Sequence, residues 1–131
     1  MTPHRLRALV VDDSRTVAAL LKHFLQQDGF EVEVAPDGIG GLEAARRESP
    51  DVIVTDANMP GMDGNELVRA LRMDGRTCRA TIVMLTSDDS PASAAEASRC
   101  GVDAYLVKPV PPQGLAARIH AVMTQRERLA S

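Results

Sequence analysis

The chain is poor in aromatic residues, with two Phe, one Tyr and no Trp among 131 positions. Its core must therefore be aliphatic, and it has few rings from which to build an isoalloxazine site. Cysteine is also scarce: Cys78 and Cys100 form no CxxC pair and read as ordinary intracellular thiols. His4, His23 and His120 are scattered, without an i,i+4 pair or a cysteine close by, which argues against zinc. No apolar run approaches the roughly 18–20 residues that span a bilayer. The opening Met1-Thr-Pro-His-Arg-Leu-Arg has no apolar signal region, so a cytoplasmic location is expected, with no membrane contact. Positive charge is in deficit too. A net charge of −3 and a pI of about 5.6 argue against a direct nucleic-acid or anionic-lipid surface.

What is present is ordinary globular composition, 44% hydrophobic and 25% charged. The length suits a single domain over residues 1–131, with its core at about 6–124. Val52-Ile53-Val54-Thr55 reads as a strand buried on both faces, and it ends on Asp56. Pro60, Gly61 and Gly64 then force a loop. Ala8-Leu9-Val10-Val11 stops in the same way at Asp12-Asp13. Thr81 to Leu85 stops at Thr86-Ser87-Asp88-Asp89, and Ala104 to Val107 at Lys108-Pro109. Phe30 to Ala35 alternates apolar and acidic residues, as a half-exposed edge strand does.

Between these runs the period changes to that of helices. Val17, Leu20, Leu21, Phe24 and Leu25 form one stripe, capped by Ser14 or Asp13 and stopped at Gly29. Asp37 to Glu48 predicts a second helix with Ile39, Leu42 and Ala45 inward. Gly38, Gly40 and Gly41 each cost that helix about 1 kcal/mol relative to Ala, so a loose start is expected. Gly38-Ile39-Gly40 is not a dinucleotide fingerprint, because position 43 is Glu43 and the triplet does not follow the first strand. Asn65 to Met73 predicts a third helix. Ser90-Pro91 opens a fourth, rich in Ala and Ser, weakly held and closed by Gly101. A fifth runs from Pro111 to Thr124, followed by a polar tail from Gln125 to Ser131. Five strands alternating with five helices specify an α/β fold, a doubly wound parallel sheet with helices on both faces.

Strand tips in such a sheet lie side by side and border its ligand crevice. Asp12, Asp13, Asp56, Thr86 and Lys108 are thereby expected at one edge. Three carboxylates there repel, and a divalent oxygen-loving cation, Mg²⁺, removes that penalty. With the Lys108 ammonium and the Thr86 hydroxyl, the set has the parts to hold a phosphoryl group around a nucleophilic carboxylate.

Val11-Asp12-Asp13-Ser14, Asp56-Ala57-Asn58-Met59-Pro60-Gly61-Met62-Asp63-Gly64, Leu85-Thr86-Ser87 and Tyr105-Leu106-Val107-Lys108-Pro109 together resemble the receiver domain of bacterial two-component response regulators. The resemblance implies a flavodoxin-like five-stranded sheet of order 2-1-3-4-5. It implies Asp56 as acceptor of a phosphoryl group from phospho-His of a histidine kinase or histidine phosphotransfer protein. Mg²⁺ would be held by Asp13, Asp56 and the backbone carbonyl of Asn58, with Asp12 acting through water. Lys108 and Thr86 would bind phosphoryl oxygens, and Tyr105 would change rotamer on activation. Asn58 and Asp88 resemble the positions that tune phosphoryl lifetime, and Asn58 is what chemotaxis-type receivers carry. The Lys108-Pro109 bond would be cis, a form accessible because the residue is proline. Residues 91–100, the strand at Tyr105 and the helix from Pro111 to Thr124 would form the face that docks a downstream protein. A monomer or weak dimer is expected, and Met1 with its short leader favours a stand-alone receiver over an excised one.

Two other classes compete. Haloacid-dehalogenase-like phosphatases also place a nucleophilic Asp after an apolar strand, but they want a second Asp two residues on, where this chain has Asn58. A flavin or nucleotide carrier on the same fold finds neither a Walker lysine loop nor an aromatic-rich site here.

Overall fold

Alternate residues of the buried strands feed two separate cores, one on each face of the sheet. A computed structural model describes residues 5–130; Met1–His4 and Ser131, and with them part of the expected leader and the end of the expected tail, lie outside the described residues. The elements run β1 (Arg7–Val11), α1 (Arg15–Gln27), β2 (Glu31–Ala35), α2 (Gly38–Glu48), β3 (Val52–Asp56) and α3 (Gly64–Met73). They continue with β4 (Thr81–Thr86), α4 (Pro91–Cys100), β5 (Ala104–Val107) and α5 (Pro112–Ala130). The sheet is parallel throughout, in the order β2-β1-β3-β4-β5. This is the flavodoxin-like order.

Leu9, Val11, Ile53, Ile82 and Met84 point to one face and pack with Leu67 and Leu71 of α3, Ala44 and Ala45 of α2, and Ala97 of α4. Ala8, Val10, Val52, Val54, Val83 and Leu85 point to the other and meet Leu21 and Leu25 of α1 and Leu115 and Ile119 of α5. β3 is buried along Val52–Thr55 because it has a strand on either side and helices above and below. β2 is an edge strand, and its two glutamates keep the outer rim charged.

Caps follow the sequence closely. Ser14 Oγ accepts from the Val17 N–H, and Ser90 Oγ from the Ser93 N–H, with Pro91 at the first helical position. Asp63 and Glu66 form a reciprocal capping box at the start of α3. The Lys108-Pro109 bond is cis.

Four expectations are corrected. Ile39 does not face inward but is 58% exposed, and Leu42 is only half-buried; Ala44 and Ala45 do the packing, with Gly38 and Gly41 beside them. The start of α2 is not loose, because Asp37 Oδ1 takes the Gly40 N–H at 2.7 Å. The glycines are there to permit approach: a Cβ on Gly41 would stand 2.8 Å from Val11 Cγ2, and one on Gly38 2.7 Å from the Met62 carbonyl oxygen. In α1 the inward stripe excludes Leu20, which is 46% exposed, and includes Ala18. Finally, the expected polar tail is helix as far as Ala130. Arg126 is its anchor, donating to the carbonyls of Arg79 and Ala80 and pairing with Asp103 at 3.3 Å.

Candidate functional site

The register sets Val11 beside Thr55, Asp56 beside Leu85 and Thr86 beside Val107, so the residues that follow each strand share one edge. Asp56 closes β3 with its side chain 12% exposed. Asp12 is buried and Asp13 exposed, and one carboxylate oxygen from each of the three acids lies within 4.8 Å of the others. Lys108 reaches in from the end of β5 and places Nζ 3.6 Å from Asp56 Oδ1. The Asn58 backbone N–H donates to the same oxygen at 3.5 Å.

Electrostatics mark Asp12 as the strained member. Burial pushes its carboxyl above the ordinary carboxylate range, and the charges of Asp56 and Asp13 push the same way; the Ser14 N–H, at 2.8 Å from Oδ1, and Lys108 oppose the shift. The donor set is all oxygen and carries excess negative charge, which fits a hard divalent cation that retains several waters. No thiol or imidazole stands among these donors to favour a softer metal.

The backbone around Asp56 is itself tightly held. Gly64, the first residue of α3, lies against it so closely that a Cβ there would meet the Asp56 carbonyl oxygen at 2.6 Å and Ala57 Cα at 2.9 Å. The sequence marks Gly64 as a turn residue; its closer duty is to let α3 sit under the acid.

On the far side of the edge, Thr86 is buried, and its Oγ1 accepts from the Asp88 N–H at 3.1 Å. Tyr105 donates its hydroxyl to the Asp88 carbonyl at 2.6 Å. The Asp88 carboxylate is turned to α4, where it accepts from the Ser93 hydroxyl at 2.6 Å and the Ser90 N–H at 2.9 Å. Those bonds, the Ser93 one foremost, hold the Asp88 carboxyl below its usual range. Asp88 therefore joins Thr86, Tyr105 and α4 and is not part of the acid cluster. Sequence spacing places Asp88 near the site but cannot show this linkage, since Ser93 reads only as a helix residue.

Residues 8–120 match the model of the response regulator receiver domain. The chain belongs to that family. The receiver is 40% identical over 118 residues to the response regulator MprA of Mycobacterium leprae, covering 90% of this chain and 51% of that protein. It is 36% identical over 127 residues to the DNA-binding response regulator MtrA of Mycolicibacterium smegmatis, covering 97% of this chain and 54% of that one. The chain thus spans about half the length of the curated relatives it matches. The Vibrio cholerae chemotaxis protein CheY4 superposes with a TM-score of 0.87 at 39% identity, covering 91% of this chain and 99% of the other. Receivers act as phosphoacceptor switches in two-component signalling, bind Mg²⁺ in an acidic pocket and catalyse only their own phosphorylation and dephosphorylation. Among the described residues of this receiver, no helix is long and apolar enough to cross a membrane.

Proposed function

We propose that Asp56 is the phosphoacceptor, and that a histidine kinase or histidine phosphotransfer protein supplies the phosphoryl group. The observation that carries this reading is the meeting of three carboxylates with the Lys108 ammonium, 3.6 Å from Asp56 Oδ1, at the tip of a doubly buried strand. An Asp56 carboxylate oxygen attacks phosphorus; an oxygen–phosphorus bond forms, the phosphorus–nitrogen bond breaks, and the imidazole leaves with the electron pair. Lys108 and the Thr86 hydroxyl bind phosphoryl oxygens. Asp13, Asp56 and the Asn58 carbonyl would hold Mg²⁺, with Asp12 acting through water, and the bound ion would supply positive charge to offset that developing on the phosphoryl oxygens.

The signal leaves through the Thr86–Asp88–Tyr105 connection to the face made by α4, β5 and α5, where a downstream protein docks. Asn58 and Asp88 tune phosphoryl lifetime. Residues 1–131 act as one domain, as a monomer or weak dimer in the cytoplasm, without touching nucleic acid directly. The excess acidic charge supports that last point for this stretch.

Incubation with acetyl phosphate and Mg²⁺ should add one phosphoryl mass to the intact protein, EDTA should prevent it, and Asp56→Asn should abolish the main adduct. Undiminished incorporation in Asp56→Asn would overturn the assignment. Lys108→Ala should leave Mg²⁺ affinity intact or improved, because it removes a competing cation, while the conformational response to phosphorylation is lost. A large fall in Mg²⁺ affinity by calorimetric titration would show Lys108 has another role.

A further inference from the structure

Beside the acid cluster, between the starts of α3 and α4, lies a polar cavity of about 110 Å³. Its polar lining is Asn58, Asp63, Asn65, Thr86, Asp88, Ser93 and Tyr105. Asn65 sits in the first turn of α3, next to the glycine packed on Asp56. Its carboxamide oxygen is buried and, among the described residues, accepts no hydrogen bond. A buried acceptor left without a donor is costly, about 1–3 kcal/mol, so such a group marks where a donor belongs.

Of the three hydroxyls lining the cavity, two are already committed as donors. Tyr105 gives its proton to the Asp88 carbonyl, and Ser93 gives its proton to the Asp88 carboxylate, each at 2.6 Å. Thr86 Oγ1 is used as an acceptor, from the Asp88 N–H, and its own proton has no acceptor among the described residues. An orphan donor and an orphan acceptor thus line one polar space. It is roomy enough for ordered water, which on this measure needs about 10–15 Å³ per molecule and two or more polar partners.

We infer that Asn65 is a positioning residue for the switch: through water in this cavity its carboxamide oxygen receives the Thr86 hydroxyl proton in the resting receiver, and phosphorylation must break that relay. The inference rests on the reading of Thr86 as the hydroxyl that turns to the phosphoryl group. One proton cannot serve both acceptors, so the relay sets a threshold against the active state. A ligand shifts the equilibrium only by its differential affinity for the two arrangements, and Asn65 sets part of that difference.

The test is a double-mutant cycle on beryllofluoride affinity at saturating Mg²⁺, followed by fluorine NMR, with Mg²⁺ affinity by calorimetry as the measure of an intact acid cluster. Asn65→Leu removes the acceptor and should tighten beryllofluoride by about five-fold, the scale of one net hydrogen bond, with Mg²⁺ affinity unchanged. Asn65→Ala, which adds no bulk to the cavity, should shift it the same way. In a Thr86→Val background neither substitution should change affinity further. Unchanged or weaker binding in both Asn65 variants, or an equal effect with and without the Thr86 hydroxyl, overturns the relay while leaving the phosphoacceptor reading standing. If Thr86→Val alone leaves beryllofluoride affinity and the conformational response untouched, the reading of Thr86 fails, and the relay with it.

Discussion

Replacing Asp12 by Asn should make the metal-free protein more stable, although it damages the site. Asn keeps the Oδ1 acceptor that holds the Ser14 N–H at 2.8 Å, so the local turn survives and only the charge is lost. At the 4.8 Å limit separating the cluster's carboxylate oxygens, two like charges repel by about 3 kcal/mol at an effective dielectric of about 20. Lys108 returns part of this through Asp56, and solvent over exposed Asp13 screens its share. A net gain of about 1–2 kcal/mol is expected in EDTA at neutral pH, read as a rise in urea midpoint at constant slope. The pH dependence has a definite sign. A carboxyl whose folded-state pKa lies above its ordinary 3.8 binds more protons folded than unfolded, so wild-type stability falls as pH rises from about 3.8 through the folded value. The gain from Asp12→Asn should therefore vanish below that window. Saturating with Mg²⁺ to ten times its dissociation constant should stabilise the wild type by about 1.4 kcal/mol, and Asp12→Asn by much less. A variant less stable than wild type in EDTA, or stabilised equally by Mg²⁺, would refute the claim that Asp12 is held under strain for the cation.

Two predictions concern the scaffold. Gly41→Ala should cost about 1 kcal/mol by urea denaturation despite better helix propensity, because the new methyl meets Val11 Cγ2 at 2.8 Å; in a Val11→Ala background the penalty should disappear, and a gain in the single variant would contradict the packing described. Arg72→Met should cost about 3 kcal/mol, since the guanidinium binds the carbonyls of Cys78, Ala80 and Gly101 and the Asp103 carboxylate; a loss below about 0.5 kcal/mol, the level of a neutral surface change, would show the network is dispensable.

β1, β3 and β4 were readable because burial on both faces leaves no room for polar alternation, so their runs of Val, Ile and Leu stand out and stop at Asp12, Asp56 and Thr86, whereas edge strand β2 was read from its alternation. The acids and Lys108 were legible for the same reason, their positions being fixed by where the runs stop. The helices were less so. Periodicity ranks positions by side-chain hydrophobicity, and in α2 that points to Ile39. The actual constraint is how near the helix backbone must come to Val11 and Met62, which only Gly41 and Gly38 allow. The last turns of α5 were read as tail because Arg126 looks solvated in sequence. Its carbonyl partners, Arg79 and Ala80, lie 47 and 46 residues earlier, a separation no local pattern encodes.

Asp88 shows how these two levels of legibility meet in one switch. Its backbone N–H and C=O belong to the chemistry side, one to Thr86 and the other to Tyr105, while its carboxylate belongs to α4. α4 itself buries only Ala97 and Cys100, so little apolar area resists its movement. β3 and β4, which carry Asp56 and Thr86, are buried along nearly their whole length and cannot follow. A force applied at Thr86 is therefore resolved in the element with the weakest packing, and Asp88 is its point of attachment. A carboxylate already accepting from Ser93 of α4 and from the N-cap Ser90 has little reason to face a phosphoryl group at Asp56. On the proposed function, any influence of Asp88 on phosphoryl lifetime would run through the position of α4, which would tie how long the signal lasts to a partner docked on that helix.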